Sequence, residues 1–222
     1  MTIIPDSIEI DIGPQRLQGL LGVPDDADGL VIFAHGSGSG RMSPRNSRVA
    51  AALRAGGLAT LLLDLLTPEE ERDRANVFDI ALLASRLSFA ADWALARSET
   101  AHLPIGYFGA STGAAAALVA AAVPRSPVAA IVSRGGRPDL AGDALAHVLA
   151  PTLLIVGSLD TEVLRLNQMA YDRLVAPKEL VVVEGAGHLF EEPGTLDEVE
   201  RHARRWFRSH LAGDRGPSSA AA

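Results

Sequence analysis

The feature that most restricts the fold is an alternation. Six apolar runs recur along the chain: "GLVIFAH", "LATLLLDLL", "PIGYFG", "VAAIVSRGG", "TLLIVGS" and "KELVVVEG". Each is bounded by Gly, Pro or Asp and followed by a stretch with helical character. Runs this short and this continuously apolar read as strands buried on both faces. Strands buried on both faces and alternating with helices predict an α/β fold, a mostly parallel sheet covered by helices on both faces. Upstream, "SIEIDI" and "RLQGLLGV" flank Gly13-Pro14 and predict an antiparallel hairpin. The expected sheet has about eight strands, and the expected helices start with Pro44–Ala55 and close with "TLDEVERHARRWFRSHL". "NVFDIALLASRLSFAADWALAR" has the periodicity of one long helix, and "PDLAGDALAHVL" that of a short one. A single domain is expected over residues 1–211, with a disordered tail over 212–222.

Composition narrows the function classes. The chain has 222 residues, no cysteine and a formal charge of −7. Without cysteine there are no disulfides, thiolate metal sites or cysteine nucleophile. The acidic balance argues against nucleic acid as a partner and against an anionic membrane surface. Thr100–Pro124 lacks Asp, Glu, Lys and Arg, but His102, Pro104 and Gly106, Gly109 and Gly113 interrupt it, so a buried strand and helix are expected rather than a membrane span. The N-terminus has neither a basic region nor a long apolar one, which fits a cytoplasmic protein. No Asp or Glu joins a histidine at metal-ligand spacing, so neither a metal nor a cofactor is expected.

Chemistry gathers at the ends of the strands, where parallel α/β sheets hold their ligands. His35-Gly36-Ser37-Gly38-Ser39-Gly40 follows the third strand. Ser111 sits in "GASTG" after "PIGYFG". Asp160 follows "TLLIVGS", and His188 stands in "GAGHLF" after "KELVVVEG". A serine becomes a nucleophile only with a base in reach and an acid that fixes the base's tautomer. The order Ser111, Asp160, His188 is the order of α/β-hydrolase triads. Asp64 and Glu162 are rival acids, Asp64 reading more naturally as a loop anchor. His35 reads as a brace for its glycine-rich loop.

With these motifs the sequence resembles the α/β-hydrolase superfamily, and within it the small dienelactone-hydrolase-like members. The resemblance runs from Ser7 to Leu211 on "HGSGSG", "GASTG", "VGSLD" and "GAGHLF". It implies Ser111 as nucleophile, His188 as general base and acid, and Asp160 as orienting acid. It also implies backbone oxyanion donors from Thr112 and from either Ser37 or Gly38. Named dienelactone hydrolases carry a cysteine nucleophile where this chain has serine. The chain is therefore similar to serine members of the architecture, some of them fused to a phosphoribosyltransferase. The implied activity is hydrolysis of small esters, lactones or thioesters. Acyl transfer or perhydrolysis on the same triad, and ligand binding without turnover, are the alternatives.

Only "RGGR" separates "VAAIVS" from Pro138, so no lid domain is expected. Arg134 and Arg137 at that strand end, and Arg72 in "TPEEERDRANVF", are candidates for pairing with a substrate carboxylate. The alternative for each is an arginine in solvent or paired with a nearby acidic residue.

Overall fold

The computed structural model describes residues 7–211. The tail expected to be disordered lies outside them. Eight strands form one open sheet in the order β1-β2-β4-β3-β5-β6-β7-β8. They are β1 (Ile8–Ile12), β2 (Leu17–Gly22), β3 (Leu30–Ala34), β4 (Ala59–Leu63), β5 (Ile105–Ala110), β6 (Val128–Arg134), β7 (Thr152–Gly157) and β8 (Lys178–Val183). β1 and β2 form the expected hairpin, and β2 joins β4 antiparallel. All pairings from β4 through β3 to β8 are parallel.

The period of two along each strand sorts side chains into two cores. Ile32, Leu61, Tyr107, Ile131 and Leu154 face one layer. Val31, Phe33, Leu62, Phe108, Val132 and Leu153 face the other. The first layer is closed by α4 (Ile80–Leu95), α5 (Thr112–Ala121) and α6 (Thr161–Arg173). The second is closed by α1 (Pro44–Ala55) and α7 (Thr195–Leu211). α7 buries Leu196, Val199, Ala203, Trp206, Phe207 and Leu211, an apolar stripe at helical spacing. Phe33 and Phe108 stack across adjacent strands with centroids 4.8 Å apart, each ring contributing about 2–3 kcal/mol through burial.

One helical expectation is revised. The long helix expected from Asn76 is broken at Asp79, into α3 (Arg74–Phe78) and α4. Asp79 leaves helical geometry, and its carboxylate accepts the Leu82 amide at 3.0 Å. A short acidic side chain favours a helix start over a helix interior. The short helix expected from Pro138 forms at Pro138–His147 as a 3₁₀ helix, kinked at Gly142 with φ 55°. The stretch after β4 also carries α2 (Pro68–Glu71), opened by a Thr67–Glu70 capping box.

The topology places the site. β4 lies on one side of β3 and β5 on the other, so the strand order reverses at β3. A crevice opens at such a reversal beyond the strands' carboxyl ends. The loops carrying His35–Gly40 and Ser111 leave β3 and β5 at that point.

Candidate active site

Ser111 joins β5 to α5 with φ 51° and ψ −123°, a conformation costly for any residue with a side chain. The surroundings hold it there. Its amide reaches the Arg134 carbonyl at 3.4 Å, and its own carbonyl accepts the amides of Arg137 at 3.0 Å and Ala114 at 3.1 Å. The flanking glycines allow the turn to pack. A Cβ on Gly109 would lie 2.4 Å from Ala114 Cα, and one on Gly113 would lie 2.2 Å from the Ala34 carbonyl oxygen. A serine before a helix normally caps it through its side chain. Ser111 does not, which leaves its oxygen for other work.

The β3 loop lies directly against the elbow, since a Cβ on Gly36 would sit 2.8 Å from Ser111 Cβ. His35 Nε2 accepts the Leu65 amide at 3.1 Å, so Nδ1 carries the proton and donates to the Gly36 carbonyl at 3.0 Å. His35 thus braces the loop against the end of β4, the role read from its context. Asp64 also anchors this loop, accepting the Arg41 amide at 2.6 Å and pairing with its guanidinium. Asp64 is therefore engaged away from His188. Glu162 is engaged with Arg165 at 2.7 Å.

Asp160 and His188 meet across the ends of β7 and β8. His188 Nδ1 lies 2.6 Å from Asp160 Oδ2. A proton on Nδ1 directed at a carboxylate leaves Nε2 as the basic nitrogen. The two loops are joined beyond this contact. The Leu159 amide donates to the Ala186 carbonyl at 3.0 Å, and the Gly185 amide to Ser158 Oγ at 2.9 Å. Gly135, with φ +51°, carries the β6 end against the histidine: a Cβ there would lie 2.9 Å from the His188 carbonyl oxygen and 3.7 Å from its Nδ1. The same β6 end holds the Ser111 amide, so serine and histidine abut one shared turn. Glu192 closes the histidine loop, and the Gly187 amide beside its carboxyl holds that group below the usual carboxylate range.

The arginines take different positions. Arg137 is bound in two contacts of 2.8 Å to Asp139. Arg72 is exposed just after α2. Arg134 is only 6% exposed. Its Nη2 reaches Asn46 Oδ1 at 3.2 Å, its guanidinium lies 5.9 Å from the Phe190 ring centre, and among the described residues no carboxylate pairs with it. Burial, then the charge of Arg45, push its pKa down to about 10. Neither solvation nor acidic pairing, the alternatives weighed for it, describes this residue.

Three participants had no place in the sequence reading. Asn167 is fully buried, and its amide nitrogen donates to the Gly136 carbonyl at 2.9 Å, steadying the turn after β6. A polar residue inside the stripe Val163, Asn167, Ala170, Leu174 was the available signal. Gly135 and the Thr112 hydroxyl, which accepts the Ser37 amide at 3.1 Å, left no such mark.

A cavity of about 280 Å³ opens beside the β3 loop, lined by Leu17, His35, Gly40, Arg41, Asp64 and Leu66 among others. Among the described residues there is no group of three or more side chains able to hold a metal. No helix among them is long and apolar enough to cross a membrane.

No family model matches the chain. It is 60% identical over 213 residues to a Mycobacterium tuberculosis protein named "Putative phosphoribosyl transferase", covering 96% of this chain and 48% of that one. The chain thus spans about half the length of that curated relative. It is 32% identical to an uncharacterized protein of the same organism, covering 86% of this chain and 79% of that one. Among solved structures it resembles Est1E from Butyrivibrio proteoclasticus in fold, at 16% identity and TM-score 0.78, over 94% of this chain and all of that one. A dienelactone hydrolase from Anabaena variabilis matches at 54% identity and TM-score 0.88, over 92% of this chain and 97% of that one. With that identity across nearly the whole of both chains, on a mostly parallel eight-stranded sheet, this protein belongs to the dienelactone hydrolase family of α/β-hydrolase enzymes.

Proposed function

We propose that the protein hydrolyses small carboxylic esters, lactones or thioesters through Ser111, His188 and Asp160. Ser111 attacks the substrate carbonyl while His188 Nε2 takes its proton. Asp160, hydrogen-bonded to Nδ1, holds the tautomer and stabilises the imidazolium. The tetrahedral oxyanion collapses to an acyl-enzyme as His188 returns the proton to the leaving group. Water, deprotonated by His188, then releases the acid. Thr112, the first residue of α5, offers its amide to the oxyanion, favoured by the positive end of that helix.

The observation that carries this reading is the state of Ser111, held at φ 51° with its hydroxyl left out of helix capping. The Ser111 and His188 oxygens and nitrogens need not be in contact before substrate arrives, since catalytic hydrogen bonds tighten in the substrate complex. The exposed side chains Leu159 and Leu189, each next to a proposed triad member, support an apolar portion on the substrate. Labelling with a fluorophosphonate, read by intact mass, is the test. One adduct on the wild type and none on Ser111→Ala is expected. A well-folded wild type that neither labels nor turns over a panel of esters, lactones and thioesters overturns the reading.

A further inference from the structure

We propose that the Thr112 side chain is itself a catalytic oxyanion donor, its hydroxyl interposed between the Ser37 amide and the developing charge. The proposal rests on the serine-hydrolase reading above and names a donor that the backbone account omits.

The β3 loop is expected to aim an amide at the oxyanion, from Ser37 or Gly38. The Ser37 amide points elsewhere: it donates to Thr112 Oγ1 at 3.1 Å, joining residues 75 positions apart. A threonine oxygen thus occupies the place where an oxyanion would meet that donor. A hydroxyl has one hydrogen and two lone pairs. With one lone pair filled by Ser37, its own hydrogen remains to be donated. The accepted bond polarises the O–H and strengthens what it gives.

The setting suits this role. Thr112 directly follows Ser111, so its amide and hydroxyl leave adjacent atoms of one residue at the elbow. Its side chain is buried, 5% exposed, which raises the strength of any bond to a developing anion. It also lines a void of about 10 Å³ between the β3 loop and Leu66, Glu71, Val77 and Leu83, room for one water-sized group. Gly38, the other candidate, stands at φ +69°, and a Cβ there would meet nothing within 4 Å. Oxyanion stabilisation requires donors fixed before the charge forms. Of the loop's two amides, that of Ser37 is tied to the elbow, through Thr112.

Three variants and one inhibitor separate the possibilities. Thr112→Val keeps the shape and removes the hydroxyl. Thr112→Ala does so without branching, in case valine does not fold. Thr112→Ser restores the hydroxyl. Each is assayed on a p-nitrophenyl ester for kcat and KM, and for inhibition by an aryl trifluoromethyl ketone, whose adduct with serine carries the oxyanion. Thr112→Val and Thr112→Ala should lose on the order of 100-fold in kcat with KM little changed. Ketone affinity should fall in parallel, and Thr112→Ser should recover most of both. Equal or faster turnover in Thr112→Val overturns the proposal, because the freed Ser37 amide then serves directly. Equal losses in the serine and valine variants overturn it too, since the methyl and not the hydroxyl would matter. The wild type is labelled with fluorophosphonate in the same series. Labelling with an indifferent Thr112 removes only this proposal, whereas no labelling and no turnover removes the triad reading.

Discussion

Two turns bring this chemistry together, and they are held in different ways. The elbow after β5 takes its shape from neighbours in sequence, and Ala34, Arg134 and Arg137 complete its contacts. Its strain at Ser111 is made possible by Gly109 and Gly113, two residues to either side, and its contacts are backbone against backbone. The histidine loop after β8 is built from distant parts: Asp160 from β7, Gly135 from β6, and Glu192 from its own far end. A turn of the first kind is written in a five-residue motif. A turn of the second kind exists only once the sheet has assembled. The first should therefore fail through packing, and the second through loss of hydrogen bonds and charge.

The largest effect expected from breaking this contrast is on the histidine side. Asp160→Asn keeps the shape but replaces the acceptor at Nδ1 with a group that also donates. The proton then moves to the wrong nitrogen, and kcat should fall roughly 10³- to 10⁴-fold, with little change in thermal stability. Steady-state kinetics beside a melting curve checks both. A loss below tenfold would mean that the 2.6 Å contact orients nothing in turnover.

On the elbow side the reverse is expected. Gly113→Ala places a Cβ 2.2 Å from the Ala34 carbonyl oxygen and 2.5 Å from that of His35. Neither is the end of a flexible side chain, so the strand end or the helix must move. Overpacking of this kind costs about 3 kcal/mol, or roughly 10 °C in melting temperature for a domain of this size. Gly142→Ala is the comparison, since Gly142 has the positive φ that Gly113 lacks but meets open space. It should cost about 1 kcal/mol. Equal shifts would show that close approach at the elbow costs no more than a strained φ elsewhere.

Arg134 joins the two turns, because its carbonyl holds the Ser111 amide while its side chain lies by Phe190 of the histidine loop. Its charge is buried without a carboxylate. With a pKa near 10 in the folded state, below its ordinary value, the native protein binds this proton less firmly than the unfolded chain. The charge therefore costs stability below about pH 10, and the cost is relieved as pH rises above it towards the ordinary arginine value. Arg134→Met should melt no lower than wild type at neutral pH. If the charge is kept for a substrate carboxylate, kcat/KM on carboxylated esters should fall more than on neutral ones. Equal losses on both would restrict Arg134 to supporting the loops.

What the sequence made legible follows the same division. The sheet, the hairpin and α1 were readable because hydrophobic period and turn residues are local. "GASTG" was readable because the elbow's steric demand falls on adjacent positions. The break at Asp79 was missed because apolar periodicity continues across it, while one carboxylate's hydrogen bond to Leu82 decides the boundary. Arg134 was found as a polar residue at a strand end, but its burial depends on α1 and the histidine loop closing over it. No spacing in the sequence encodes the meeting of Ser37 with Thr112 across 75 positions.

The smallest predicted effect tests whether charge holds the histidine loop. The Gly187 amide keeps the Glu192 carboxyl below its ordinary range in the folded protein. A carboxyl with a depressed folded pKa adds stability above its unfolded value of 4.5, and that share is lost as pH falls through the folded value. Glu192→Gln should melt slightly below wild type at pH 7, and the gap should close in acid. It should also lower kcat several-fold at neutral pH, since Gly187 precedes His188, while leaving the stability cost of Gly113→Ala unchanged. Melting curves of the single and double variants at pH 7 and pH 4 measure this. A gap that does not narrow between pH 7 and pH 4 would mean that Glu192 fills space rather than carrying charge. The histidine loop would then be held by packing, as the elbow is.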